Sequence, residues 1–400
     1  MVIDSLDNIK ENIQNANQYA LGYPVNREHA FKIDYNKLGV VEHSFSATYL
    51  NNIASPYYHG AYTIDNIKQI EVKLIEKLAV HFNLINPFGY VTYGGTEANF
   101  VALWWHRQYL FKKFNAKPIL VCSSNSHYSL KKIANQLDIE TISIDADYKD
   151  INYNKLEEFL INNTSPIIYC VNFGTTVSGS IEDVNIIKNL LDKYLNDKYK
   201  IHGDGAIYGI MMPYIKKDFI SIFDYVDTLS FSTHKFLGSF SIAGVVLCKS
   251  KYLELVFDIE NTRIDYIQNA IDVTSSGSRQ GLFSLEIYLL IEEALKTNNN
   301  NITNLEALWC ECVNRAKNFV VDISQITDDI FYNTGQLSVI IPAPCDELLK
   351  LQIGKKYGLM PVGNDKFGIY VLPRSSEDRL KMFIDEYKVI LKQDNEYKKR

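Results

Sequence analysis

The chain has 400 residues, enough for two domains or for one large α/β domain with a smaller appendage. Hydrophobic residues make up 46% and charged residues 22% of it, as in ordinary globular proteins, which excludes disorder for the bulk of the chain. The formal net charge of −6 argues against a nucleic-acid or anionic membrane partner, because phosphate neutralisation needs clustered cations.

Nothing in the sequence favours a membrane or secreted protein. No apolar run reaches the roughly 18 residues that a membrane-spanning helix needs. The N-terminus has acids and amides where a signal peptide has a basic start and an apolar run. The six cysteines are scattered, and three of them sit in apolar, strand-like runs, as is typical of reduced, buried thiols. We therefore expect a cytoplasmic protein.

The first predicted element is an amphipathic helix over 63–84, where Ile70, Leu74 and Leu78 recur at spacings of four. Further along the chain, short apolar runs alternate with helical segments. This alternation predicts βαβ units and an α/β fold with a mostly parallel sheet flanked by helices. The predicted helices are 96–114, 128–137 and 186–194, and the predicted strands are 118–124, 166–173, 200–205, 227–233 and 241–248.

The asparagine run 298–301 marks the predicted boundary of a smaller unit. Helices and strands alternate again after it, which predicts a small C-terminal α+β domain of normal size. We therefore predict an N-terminal segment (1–60), a large domain (61–297) and a small domain (298–400). The predicted elements of the small domain are helices at 304–321 and 345–357, strands at 336–341 and 367–372, and a last helix that opens with Ser375.

Polar residues follow several predicted strands, at the edge of a parallel sheet where ligands bind. Gly95 and Thr96 open a helix; such a start is usually only a tight turn, but its free amides can also hold an anion. A lone histidine such as His127 is more often satisfied within a loop than functional. His202 and Asp204 share a strand face and could ligate a metal ion. No further cluster completes a coordination set, so we predict no metal site.

Asp204 and Lys235 are out of place at the ends of apolar strands. Burying a carboxylate is costly unless it meets a cation, and a lysine in a partly apolar site becomes a better nucleophile because its pKa falls. Either the two side chains pair with each other, or both face one cofactor. Pyridoxal phosphate needs a lysine for its aldehyde, a carboxylate for its ring nitrogen, a flat residue for its ring face and an anion cradle for its phosphate. Lys235, Asp204, His127 and Gly95–Thr96 supply these four groups.

Two stretches carry a family resemblance. FSTHKFLG (231–238) resembles the Ser-x-His-Lys motif of the group II pyridoxal-phosphate amino-acid decarboxylases. YKIHGDGAIYGIMMPYI (199–215) is similar to their His-x-Asp-x-Ala motif, in the form found in the histidine decarboxylase and plant serine decarboxylase branch. The other stretches that match this branch, in the same order, are GYPVN (22–26), GYVTYGGTEANF (89–100), HYSLKKIA (127–134), NFGTTVSGSIED (172–183) and GSRQG (277–281).

The resemblance implies the fold-type-I transferase fold and a homodimer with an active site shared between subunits. It also implies that Lys235 binds the aldehyde of the cofactor, that Asp204 pairs with the protonated ring nitrogen, and that His127 stacks on the ring and faces the substrate. Tyr266 becomes the candidate proton donor to the substrate Cα. The remaining implied contacts are Ala206 on the other ring face, Thr175 near the ring oxygen, and Gly95, Thr96, Ser232 and His234 at the phosphate.

The activity that the resemblance implies is decarboxylation of an L-amino acid to the amine and carbon dioxide. Histidine, giving histamine, is the first candidate substrate, and serine or another amino acid follows. The chain departs from the branch at Ala98 and at LFSLEIY (282–288), near the expected substrate pocket, which leaves the substrate open. Two alternatives also stay open: another fold-type-I lyase, such as a cysteine desulfurase using Cys345, and an inactive homologue that only binds the cofactor.

Overall fold

The computed structural model of the protein describes residues 19–26, 30–34, 51–57, 66–257, 263–264, 270–299 and 301–397. Its strands, in chain order, are β1 (Asn51–Ile53), β2 (Pro87–Thr92), β3 (Ile119–Ser123), β4 (Glu140–Ile144), β5 (Ile167–Asn172), β6 (Tyr199–Asp204), β7 (Thr228–Ser232), β8 (Gly244–Lys249), β9 (Arg263–Ile264), β10 (Ala270–Ile271), β11 (Ser278–Gln280), β12 (Phe331–Tyr332), β13 (Ser338–Pro342), β14 (Met360–Val362) and β15 (Lys366–Tyr370). Its α-helices are α1 (Asn66–Phe82), α2 (Gly95–Phe114), α3 (Ser129–Gln136), α4 (Tyr153–Asn162), α5 (Val184–Leu195), α6 (Met212–Ile215), α7 (Ser250–Val256), α8 (Gly281–Ala294), α9 (Asn304–Ile323), α10 (Glu347–Tyr357) and α11 (Glu377–Tyr397).

A seven-stranded sheet with the order β2-β8-β7-β6-β5-β3-β4 forms the centre of the fold. Its neighbouring strands pair in parallel from β7 to β4, and β8 alone runs antiparallel to both of its neighbours. Alternate residues of β5 enter different apolar clusters: Ile167 and Tyr169 join one, and Ile168 and Cys170 join another. Because both faces are covered, the strand is apolar along almost its whole length. The predicted α/β fold with a mostly parallel sheet is confirmed.

A second, antiparallel sheet has the order β12-β13-β15-β14 and packs with α9, α10 and α11. This is the α+β unit that the sequence predicts after the asparagine run. Tyr370, the last residue of β15, donates its hydroxyl to the carbonyl oxygens of Thr175 at 2.8 Å and Thr176 at 3.0 Å. The small sheet thereby holds the loop that follows β5. The division into segments at residues 60 and 297 stays a prediction.

Three differences from the predicted elements have physical causes. β4 is not predicted because it lies at the sheet edge, where only its last residue is buried, so it lacks an apolar run. Strand β8 starts at Gly244 rather than 241, because the residues before it form a loop whose Ser241 N–H donates to Glu286. Helix α5 begins before Ile186 because the Asp183 carboxylate caps it.

Of the helices in the described residues, none is both long and apolar enough to cross a membrane.

A buried ion pair joins α1 to β11. Arg279 donates from Nη1 to Oε1 of Glu71, and the two side chains are 2% and 0% exposed. Glu71 also accepts the Val91 N–H at 2.8 Å and the Asn52 amide at 2.9 Å, and Arg279 donates from Nη2 to the Ala54 carbonyl at 2.9 Å. The pair therefore ties β1, β2 and β11 to one helix.

Removing one partner of this pair should destabilise the protein strongly, because the other charge stays buried. We expect Arg279→Met to lower the free energy of unfolding by about 3–5 kcal/mol, measured by urea denaturation. Lys155→Ala removes the exposed pair with Asp145 and is the control, with little expected change in the free energy of unfolding. A loss in Arg279→Met no larger than that of the control would contradict this account.

Candidate active site

The carboxyl ends of β5, β6 and β7 and the N-terminus of α2 enclose a cavity of about 240 Å³. It lies at the carboxyl ends of the strands, where parallel sheets bind their ligands. Tyr266 lies outside the described residues. The other predicted site residues all line this cavity: Gly95, Thr96, His127, Thr175, Asp204, Ala206, Ser232, His234 and Lys235.

Asp204 is the last residue of β6, and its carboxylate is held on both oxygens. Oδ2 accepts the side-chain amide of Asn99 at 2.8 Å, and Oδ1 accepts the backbone N–H of Ala206 at 3.1 Å. Asn99 was not predicted as a site residue. A signal for it exists, because it lies four residues after Gly95 and therefore on the same face of α2. The two donors fix the plane of the carboxylate at the cavity wall.

Lys235 lies in the loop after β7 and is largely buried. Burial lowers the pKa of its ammonium group, and the charge of Asp204 partly offsets that effect. The loop is held from outside by the segment that contains GYPVN: Asn26 donates its backbone N–H to the Lys235 carbonyl at 2.7 Å and its side-chain amide to the Phe236 carbonyl at 3.2 Å. The lysine is thus supported by residues about two hundred positions away in the sequence.

The N-terminus of α2 forms a cradle next to Ser232. Gly94 precedes the helix with a φ of 95°, a conformation that side chains disfavour. A Cβ on Gly95 would lie 2.5 Å from Ser232 Oγ and 3.7 Å from Ala206 Cβ. Because Gly95 has no side chain, Ser232 packs closely against the start of α2, whose free amides attract an anion. On the same wall, His234 donates from Nδ1 to the Ala243 carbonyl at 3.3 Å.

His127 precedes α3 and is half-buried. Its Nδ1 accepts the backbone N–H of Ser129 at 3.3 Å and lies 2.7 Å from the Ser129 hydroxyl. Burial lowers the pKa of the ring, so the neutral form dominates. Because Nδ1 is an acceptor, the proton of the neutral ring is on Nε2. His127 therefore presents a flat, uncharged ring with one donor.

The loop after β5 supplies the remaining wall. The Thr175 hydroxyl lies 2.9 Å from Ser178 Oγ and 3.1 Å from Ser180 Oγ, so it is engaged within its own loop. Asn172, which also lines the cavity, donates its amide to Ser126 at 2.8 Å and to the buried carboxylate of Glu182 at 2.6 Å. These bonds hold the wall of the cavity in one arrangement.

The donor set fits pyridoxal phosphate. A nucleophilic amine, a fixed carboxylate and the flat ring of His127 line one cavity, and the start of α2 at Gly95 offers free amides to an anion. His202, considered above as a metal ligand, has both ring nitrogens engaged, with Thr228 and with Asn99. No cluster of three metal-ligating side chains occurs within the described part of the chain.

Comparison with known proteins agrees with this fit. The family model described as "Pyridoxal-dependent decarboxylase conserved domain" matches residues 63–321. The chain is 27% identical over 349 residues to histidine decarboxylase of Solanum lycopersicum (84% of this chain, 77% of the relative). It is 30% identical over 382 residues to serine decarboxylase 2 of Oryza sativa subsp. japonica (94% and 75%). Among solved structures, L-methionine decarboxylase from Streptomyces sp.590 matches with a TM-score of 0.76 at 18% identity (96% and 93%).

The chain has the fold of type I pyridoxal-phosphate enzymes. It belongs to the pyridoxal-dependent decarboxylase family. Its cofactor is accordingly pyridoxal phosphate and its enzyme class is carboxy-lyase. The family, the fold and the cofactor that the sequence predicts are confirmed.

The cradle at Gly95 predicts a defect in cofactor binding when it is filled. Gly95→Ala forces a methyl group against Ser232 at the cradle, so we expect the binding of pyridoxal phosphate to weaken by about 1–3 kcal/mol, the usual size of an overpacking cost, or roughly five- to 150-fold in the dissociation constant. Fluorescence titration of the apoprotein measures it. Gly354→Ala in α10, where the nearest atoms are 3.5 Å away, is the control and should bind normally. Equal affinities in the two variants would be inconsistent with a cradle at Gly95.

The lowered pKa of Lys235 predicts a pH dependence for cofactor capture. The amine must lose its proton to react, so the rate of capture by the apoprotein should rise with pH and reach half its maximum below the 10.5 of an ordinary lysine. Asp204→Asn removes the negative charge that raises the pKa of Lys235, so the pH midpoint of capture should be lower in this variant than in the wild type. Stopped-flow absorbance measures both. A midpoint at or above 10.5 would count against a buried amine.

Proposed function

We propose that the protein decarboxylates an L-amino acid to the corresponding amine and carbon dioxide, with histidine the first substrate to test and serine the second. What supports the proposal most is that Lys235 and Asp204, predicted from separate motifs, line the same cavity. The substrate order rests on the relatives, which are named for histidine and serine.

Each side chain has a separate task in this proposal. When bound, pyridoxal phosphate supplies an electron sink for the pair released from the Cα–carboxylate bond. Lys235 provides the amine that holds the aldehyde and yields to the substrate amine. Asp204 keeps a proton on the ring nitrogen, and its two hydrogen-bond donors fix the orientation of its carboxylate. His127 covers one ring face and turns its Nε2–H towards the substrate, and Ala206 covers the other face.

The lining of the cavity favours a substrate with a neutral side chain. Among the described residues that line it, Asp204 is the one acidic side chain. A lysine or arginine substrate would find no other carboxylate there. Tyr93 and Ile242 add apolar surface near the cradle. An imidazole or a hydroxymethyl group suits these surroundings better than a permanent cation.

We further propose a homodimer whose interface covers the mouth of the cavity. Phe240 and Ile242 are 70% and 69% exposed, and Ile242 lines the cavity. Exposed apolar residues grouped beside a ligand site are typical of an interface. Tyr266 remains the candidate proton donor to Cα, by resemblance alone.

The two alternatives have less support. Cys345 is exposed in the turn before α10 and is not among the residues that line the cavity, so nothing brings a desulfurase cysteine to the site. Nothing in the described residues favours an inactive homologue, which would bind the cofactor with the same side chains, and the activity test separates the two.

The test is the purified holoprotein with a panel of amino acids, with carbon dioxide and amine detected separately. We expect turnover of histidine or serine, and a fall of roughly a hundred- to a thousandfold in kcat for Asp204→Asn, as for the loss of a preorganised electrostatic group. Cys345→Ser is the control and should keep full activity. If the cofactor binds but no amino acid on the panel releases carbon dioxide, the decarboxylase proposal fails.

A further inference from the structure

A row of buried polar side chains runs from the cavity into the apolar layer between α2 and the sheet. Asn99 and His106 lie seven residues apart on one face of α2. His202 on β6 and Thr228 on β7 lie opposite each other in the parallel register. Tyr252 on α7 lies at the far end. These five side chains are between 0% and 8% exposed. We call them the polar row.

At the end of the row next to the cavity, only one assignment of hydrogen-bond donors and acceptors is possible. The Asp204 carboxylate only accepts, so Asn99 must turn its amide nitrogen to it. The Asn99 carbonyl oxygen then faces the Ser230 hydroxyl at 2.5 Å and Nε2 of His202 at 3.0 Å. A carbonyl oxygen also only accepts. His202 therefore carries its proton on Nε2, and Ser230 donates.

The same argument continues outward. Burial lowers the pKa of His202 to about 3, so the ring is neutral and its Nδ1 accepts from the Thr228 hydroxyl at 2.8 Å. The single hydroxyl proton of Thr228 is thus donated to His202, so the Thr228 oxygen accepts the Nε2–H of His106 at 2.8 Å. Burial also lowers the pKa of His106 well below its usual value. Its Nδ1 therefore accepts from the Tyr252 hydroxyl at 2.6 Å.

Every donor in the row thus points towards Asp204. Hydrogen bonds in such a chain polarise one another, and more so in an apolar interior. The neighbours of the row on α2, such as Val101, Leu103 and Trp105, are buried apolar residues. Apolar side chains in place of His106, Thr228 and Tyr252 would fill the same layer without the free-energy cost of burying polar groups. Stability alone does not account for the row.

We propose that His202, Thr228, His106 and Tyr252 are positioning residues that orient and polarise the Asn99 amide against Asp204, so that the carboxylate stays directed at the ring nitrogen of the cofactor. This inference rests on the role of Asp204 in the proposed function. None of these four residues is among those that line the cavity, so they act through Asn99 rather than by touching the ligand.

The test compares two ligands that differ at the ring nitrogen. One is pyridoxal phosphate, and the other is its analogue in which a C–H group replaces that nitrogen. The ratio of their dissociation constants for the apoprotein, here the nitrogen preference, measures the interaction with Asp204. A general disturbance of the fold weakens both ligands and leaves the ratio unchanged. The measurement therefore needs no substrate and no turnover.

Thr228→Val keeps the shape of the side chain and breaks the row in the middle. We expect it to lower the nitrogen preference by up to about tenfold, because tenfold is the loss expected if the hydrogen bond from Asn99 to the charged carboxylate were broken outright. Thr228→Ser should restore the preference. Tyr252→Phe, which breaks only the outermost link, should lower it by less. Tyr387→Phe is the matched control: it removes a buried hydroxyl bonded to the Pro342 carbonyl in the small sheet, and should leave the preference unchanged.

The outcomes separate the two claims. If Thr228→Val and Tyr252→Phe both keep the full nitrogen preference of the wild type, the role of the polar row is overturned, and the role of Asp204 still stands. A wild type that binds both ligands equally well overturns the role of Asp204 itself, and the role of the row with it. A preference that falls in the Thr228 and Tyr252 variants but not in Tyr387→Phe supports the proposal.

Discussion

A buried carboxylate and a largely buried amine lie together at one edge of the parallel sheet, and the rest of this structure depends on them. Asp204 ends β6, and Lys235 lies just beyond β7, the next strand of the sheet. Parallel pairing brings these strand ends together, so the sheet itself places the carboxylate and the amine in one cavity. Burial makes the amine easier to deprotonate, and two hydrogen-bond donors hold the carboxylate in one orientation. The burial that costs folding stability therefore makes the amine a better nucleophile.

The rest of the fold keeps these two groups in place. Asn26 holds the backbone of the lysine loop from the N-terminal side, and Tyr370 of the small sheet holds the loop after β5. The Glu71–Arg279 pair fixes the strands around the start of α2. Segments from both ends of the sequence therefore meet at one site. These links restrict the motion of the site, which reduces the entropic cost of binding the cofactor.

The sequence predicts the central sheet well because its strands are covered on both faces and so appear as continuous apolar runs, as in β5. The two edge strands β2 and β4 are not among the predicted strands: β4 has no such run, and β2 carries Pro87, Gly89 and Thr92 among its apolar residues. Lys235 and Asp204 could be found because charges at strand ends contrast with apolar neighbours. Asn99 could not be singled out in the same way, since its importance depends on a partner 105 positions away. The polar row likewise joins two helices and two strands, and only their packing reveals it.

A crystal structure of the protein with pyridoxal phosphate would test the central claim most directly. The account predicts electron density that is continuous from Lys235 Nζ to the cofactor, and a ring nitrogen roughly 2.7–2.9 Å from the Asp204 carboxylate, the length of a charge-assisted hydrogen bond. It also predicts the phosphate at the amides that open α2. A cofactor attached to another lysine, or a ring turned with its nitrogen away from Asp204, would contradict the account.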